Sequence, residues 1–154
     1  DVITPRPCEQ DFPTLLPLPA PRLRTYPIET VVAEKFEAIV RLGHGNSRMK
    51  DFRDLTTFAR RREFDGDLLS QAVQATFERR RADLADLDEV FEPTFYDDEG
   101  LGQRWRAYCR TAGIDEETFT AIGNELMRFL RPLADALRGK ATPSRWNPRS
   151  GWEP

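Results

Sequence analysis

The chain has 154 residues and a mass of 17.8 kDa, one domain's worth of sequence and enough to bury a core without disulfides or metals. Its 23 basic and 26 acidic residues give a net charge of −3, which excludes a generally basic nucleic-acid coat and a polyacidic tail protein. Ten Phe and three Trp exclude a disordered chain.

The charge is nevertheless patched. Residues 41–62 carry seven basic and two acidic side chains, and residues 82–99 carry eight acidic ones and no basic one. Two cysteines, Cys8 and Cys109, cannot build a disulfide framework, and a reducing cytoplasm is their simplest home. His44 is the one histidine, so a zinc site of Cys and His is not expected. No apolar run approaches membrane-spanning length, and residues 1–20 lack the basic start and apolar core of a signal peptide. These features predict a cytoplasmic protein without a membrane partner.

In chain order, residues 1–27 hold seven of the 12 prolines and cannot form a helix or a central strand. Short strands are expected at Val2-Ile3-Thr4, ending at Pro5, and from Leu23 to Tyr26. Between them Leu15, Leu16 and Leu18 predict an extended arm lying on an apolar surface. Pro27 suits a first helical position. A 3.6-residue period then places Ile28, Val31, Val32, Phe36, Ile39 and Leu42 on one helix face. Gly43-His44-Gly45-Asn46 is a turn. Ser47 is a candidate cap for a second helix, Arg48 to Arg62, with Phe52, Leu55, Phe58 and Ala59 inward.

Asp65 or Asp67 opens a third helix ending near Arg80. Residues 83–99 read as an acidic loop with one short helix and a cluster of Phe91, Phe95 and Tyr96. Leu101, Trp105, Tyr108, Cys109 and Ala112 space a fourth helix. Asp115 opens a fifth, with an apolar stripe from Phe119 to Leu137 that continues past Pro132. Residues 139–154 are a tail carrying Trp146 and Trp152. The organisation predicted is a Pro-rich arm at 1–27, a helical domain at 28–138 and the tail at 139–154. The fold class is mainly α, a helical bundle with a small β element near the N-terminus.

Lys35 is the first residue with chemical interest. At about 100° per residue it falls within the apolar arc of the first helix. A lysine there must snorkel, form a structural ion pair, or aim its ammonium at a ligand phosphate. Lys50, Asp51 and Asp54 share one shoulder of the second helix, with Asp51 at the border of the buried face. Such carboxylates can bind a cation, act as a base, hold lysines in place, or form an ordinary solvated pair. The turn before Ser47 could present free N–H groups to an anion. The runs Arg60-Arg61-Arg62 and Arg79-Arg80-Arg81 end two helices, where cations complement the dipole or track an RNA backbone.

The stretches Tyr26 to Ala38 and Asn46 to Leu55 resemble signatures of the AbiEii/AbiGii nucleotidyltransferase toxin family. Thr30 to Lys35 match its Thr-x-x-x-x-Lys motif. Lys50, Asp51 and Asp54 match its Asp-x-Lys-Asp-x-x-Asp motif, with Arg48 where that form begins with Asp. A Pro-x-Phe at Pro93 to Phe95, Trp105, Arg131-Pro132 and a Trp…Gly-Trp end are also similar.

The resemblance implies the C-terminal part of a polymerase-β-like α+β fold. The Gly-Ser turn and paired acids that hold the catalytic metal in such enzymes are not in this sequence, and Asp1 to Pro5 resemble the end of a later family strand. It implies Lys35 and Lys50 as catalytic and phosphate-contacting residues, Asp51 and Asp54 as catalytic supports, and Thr30 and Arg48 as further nucleotide-binding positions. No metal ligand is expected in this chain; Mg²⁺ and NTP are the cofactors implied for the complete enzyme. The implied role is the toxin of a toxin–antitoxin, abortive-infection (phage-defence) system that transfers nucleotides to RNA, with tRNA the expected substrate and a cognate antitoxin the expected partner. The alternatives are a truncated, inactive RNA- or partner-binding module, and a structural bundle whose charges are solvated. On the sequence alone, Lys35→Met is expected to leave folding little changed, and the chain by itself to lack transfer activity.

Overall fold

The computed structural model describes residues 4–5, 8–14, 18–115 and 117–153. Strands β1 (Cys8–Asp11) and β2 (Arg22–Thr25) pair as an antiparallel hairpin. Helix α1 (Ile28–Leu42) follows, then a 3₁₀ turn at Gly43–Gly45 and α2 (Met49–Arg61). The chain continues through β3 (Phe64–Asp65), α3 (Gly66–Arg80), the short α4 (Asp86–Phe91) and α5 (Pro93–Tyr96), then α6 (Glu99–Ala112) and α7 (Phe119–Leu137). Strands β4 (Arg145–Asn147) and β5 (Gly151–Glu153) pair with β3 in the order β3-β4-β5, all antiparallel. The fold is mainly α with a small β element near the N-terminus, as the sequence predicts, and it adds a second small sheet, β3-β4-β5, that the periodicity does not reveal.

Helix α1 is the axis of the bundle, packed against α2, α3 and α4, while α7 covers α2 and α3. The apolar period of α1 holds at Val32, Phe36 and Ile39, which are fully buried. Burial extends further than one face: Ala33, Glu37, Ala38 and Val40 are buried too, whereas Val31 and Leu42 are only partly covered. A helix surrounded by three others loses its solvent side, and the amphipathic stripe understates that.

Several boundaries differ from the sequence reading. Pro27 stands just before α1 with extended backbone rather than inside its first turn. Ser47 does not cap α2; Asn46 does the local work, its Oδ1 accepting from the Arg48 N–H at 2.7 Å in an Asx turn. The acidic segment forms two short helices, because Phe91, Phe95 and Tyr96 all bury into the bundle. Burial pushes the Tyr96 phenol well above its ordinary pKa. Its ring packs where Gly123 leaves α7 without a side chain; a Cβ there would lie 2.1 Å from the Tyr96 ring.

Helix α7 begins at Phe119, not Asp115. The Thr118 hydroxyl accepts from the Ala121 N–H at 3.1 Å, while the Glu117 carbonyl accepts the Trp105 indole N–H at 2.7 Å. The Glu117 carboxylate is drawn to Arg60, which also grips Glu125 at 2.6 Å. That ion pair holds Glu117 below the usual carboxylate pKa, against a smaller opposing effect of burial. A depressed folded-state pKa contributes stability that is present above the unfolded value of about 4.3 and is lost as pH falls through the folded one. Both groups are more than a third exposed, so solvent and salt screen the pair. We expect Glu117→Gln to melt slightly below wild type at pH 6 and the gap to close below about pH 4; melting curves across that range check it.

The segment expected as a tail folds back. The Trp146 indole donates to the Ala59 carbonyl at 2.8 Å and the Trp152 indole to the Phe129 carbonyl at 2.9 Å. Their rings cluster with Phe129 at centroid distances of 4.9 to 6.0 Å. At the other end, the strand expected at Val2-Ile3 and the docking of Leu15 and Leu16 lie outside the described residues. Leu18 does not dock; it is 63% exposed, and Phe12, Leu23 and Tyr26 of the same hairpin are also exposed.

Candidate active site

The turn Gly43–Gly45 folds α2 back along α1. Lys35, in the middle of α1, thereby meets the first two turns of α2. Its ammonium donates to Asp51 Oδ1 at 2.6 Å and lies 2.9 Å from Asp54 Oδ2. Arg48, at the residue that precedes α2, places Nε 2.7 Å from Asp51 Oδ2. That second contact is an ion pair without hydrogen-bond alignment, since Asp51 Oδ2 has no hydrogen-bond partner. The side chain of Asp51 is only 4% exposed, that of Lys35 16% and that of Asp54 27%.

Charges this covered demand compensation. Burial works against the Lys35 charge, and the hydrogen bonds it donates to Asp51 and Asp54 overcome it, so the lysine pKa lies above its ordinary value. Lys35 is thus charged at neutral pH, and any stability it adds is lost only as pH rises through that raised value. An ammonium has three donors. Two serve the carboxylates, and the third has no partner among the described residues.

The structure does not bring every sequence candidate to this point. Lys50 is exposed and makes no ion pair with the described residues. Thr30 lies five residues before Lys35, about 140° around α1. It is buried, and its hydroxyl donates to the Thr4 carbonyl at 2.8 Å, so it ties the N-terminal segment to the helix. The Gly43-to-Ser47 turn is not an anion nest: His44 faces Glu89 at 3.3 Å and Asp98 at 3.6 Å, and carboxylates occupy that side.

The sequence reading missed Glu37. It is fully buried on another side of α1, where Arg41 Nε reaches it at 3.0 Å and Arg80 of α3 at 3.4 Å. Its spacing of four from Arg41 was the available signal. Arg80 therefore serves the helix junction.

Divalent metal is the usual helper of phosphoryl chemistry. Among the described residues no group of three His, Cys, Asp or Glu side chains could hold one. Asp51 and Asp54 are already taken by Lys35 and Arg48, and they do not fit a metal in this arrangement.

Lys35, Arg48, Asp51 and Asp54 thus form one largely covered cluster of two cations and two carboxylates where α1 meets the start of α2. Residues 1–137 match the family described as the nucleotidyl transferase AbiEii toxin of type IV toxin–antitoxin systems. The chain belongs to this family. No curated protein and no solved structure matches it. No helix among the described residues is long and apolar enough to cross a membrane.

Proposed function

We propose that this chain works in nucleotidyl transfer from NTP to RNA, with tRNA as the substrate, as the toxin of a type IV pair held in check by a cognate antitoxin in the cytoplasm. The observation that carries the reading is the Lys35 ammonium, 2.6 Å from Asp51 and 2.9 Å from Asp54. Lys35 contacts a triphosphate oxygen and offsets the charge that builds on it. Asp51 and Asp54 fix the ammonium in place before the nucleotide arrives, and Arg48 offers a second cation beside them. Lys50, on the same shoulder of α2 but in solvent, meets the outer phosphates or the RNA.

The sequence has the Thr-x-x-x-x-Lys match at Thr30 to Lys35 and the Lys-Asp-x-x-Asp match at Lys50 to Asp54, and has no Gly-Ser turn with paired acids. In our reading those acids supply bound Mg²⁺ from a separate segment of the complete enzyme, and this chain is its C-terminal part. The purified 154-residue chain should then bind NTP but incorporate no labelled nucleotide into RNA with Mg²⁺ present. Robust incorporation by the chain alone would overturn this division of labour.

A further inference from the structure

Helix α2 carries a second feature on its outer side. Lys50, Arg53, Thr57 and Arg61 recur at three- and four-residue steps and lie within one narrow arc. Lys50, Arg61 and Arg62 are exposed and make no ion pair with the described residues. Arg53 donates to the Thr57 hydroxyl at 2.5 Å and is also near enough to the Glu117 carboxylate to help lower its pKa, so its charge is shared between the stripe and that acid. At the end of α2 a cavity of about 580 Å³ is lined by Thr57, Phe58, Arg61, Arg62 and Glu63. Glu63, the only acid among these, is ion-paired to Arg145 and does not neutralise the two arginines.

The neighbouring cations differ. Arg60 is consumed by Glu117 and Glu125, Arg80 by Glu37 and Arg138 by Asp88. A helix-dipole role needs cations only in the last turn, and Lys50 sits in the first. Lys50 and Arg61 are 11 positions apart, about 16 Å along the axis. A nucleic-acid strand with one charge per roughly 3.4 Å presents several phosphates over that length.

We propose that the outer face of α2 is a track for the backbone of single-stranded RNA, leading from the cavity at Arg61 and Arg62 toward the Lys35–Asp51–Asp54 cluster. Phe58, partly buried at the cavity wall, offers a ring edge on which a base can rest. The proposal rests on the RNA-directed reading above, but its test requires binding and no catalysis.

The experiment is a titration of a fluorescein-labelled single-stranded RNA oligonucleotide with the 154-residue chain over a salt series. Each phosphate contact contributes about −0.7 to the slope of log K against log salt. Arg61→Ala/Arg62→Ala should make the slope shallower by about 1.4, and adding Lys50→Ala by about 2 in total. Arg110→Ala, an exposed cation on α6, should leave it unchanged. Circular dichroism melts confirm that these surface variants fold. A wild-type chain that does not bind the RNA, or a double variant with the wild-type slope, overturns the track. Lys35→Met separates the two proposals: it should lower NTP binding and keep the RNA slope, so either can fail alone.

Discussion

Lys35→Met is expected to destabilise the chain by roughly 3 kcal/mol, near the lower end of the range for removing one partner of a buried ion pair. The sequence alone suggested a neutral change, on the premise that an apolar residue replaces a buried pair. The structure alters the premise. Asp51 is the more deeply buried partner, and the substitution leaves its carboxylate with Arg48 alone, contacted at 2.7 Å on one oxygen. Asp54 would face the same space without its cation. Adding Asp51→Asn removes the stranded charge and should recover most of the lost stability. It should not recover function. In the complete enzyme, transfer should fall by about 10²–10³-fold with Lys35→Met, the scale for one preorganised electrostatic contact. Melting of the single and double variants separates the structural part from the chemical part. A single variant as stable as wild type would mean that Asp51 does not depend on Lys35.

Gly66→Ala should be the most damaging single-methyl change at the C-terminal sheet. Alanine normally improves a helix by about 0.5–1 kcal/mol over glycine, so helix propensity at the start of α3 predicts a gain. Here a Cβ would lie 1.8 Å from the Pro143 carbonyl oxygen. That oxygen is main chain, and it is fixed because the next residue, Ser144, accepts the Gly66 N–H at 2.7 Å. The clash can be relieved only by lifting residues 143–146 off β3. That would withdraw Trp146 from Phe129 and from the Ala59 carbonyl. A loss of about 3 kcal/mol, at the upper end for overpacking, lowers the melting temperature by roughly 6–12 °C for a domain of this size. A red shift of tryptophan emission should accompany it. An unchanged or higher melting temperature would contradict the role given to this contact.

What was legible in the sequence follows from where the physics is local. Helices α1, α2, α6 and α7 came through by their apolar period and α3 by its aspartate cap, because these signals are set within one element. Lys35 stood out by the same logic, as a charge inside an apolar arc. The meeting of Lys35 with Asp51 was foreseeable once the Gly43 turn made the two helices neighbours. The depth of Asp51 was not, because its burial comes from the partner helix. Glu37 escaped notice for a similar reason: the arginine that reaches it from α3 is 43 positions further along. The strands β3, β4 and β5 run for two or three residues each, too short for any alternation to register. Only the two tryptophans hinted that the last residues had somewhere to bury. Of the β1–β2 hairpin, the second strand was legible at Leu23 to Tyr26, one residue from where it lies, whereas β1 hid among prolines, and the hairpin's apolar residues Phe12, Leu18 and Leu23 face solvent.

In the proposed function Lys35 is a phosphate contact as well as a structural cation. The most direct measurement is calorimetric titration of NTP into the folded 154-residue chain, comparing wild type, Lys35→Met/Asp51→Asn and Lys35→Arg at matched stability. Loss of one hydrogen bond to a charged group corresponds to about 1.5–3 kcal/mol, or roughly 10–100-fold in affinity. The double variant should therefore bind at least tenfold more weakly, with Lys35→Arg between it and wild type. Equal NTP affinity in all three would contradict the claim and leave Lys35 as the ion-pair partner of Asp51 and Asp54, with no nucleotide in its reach.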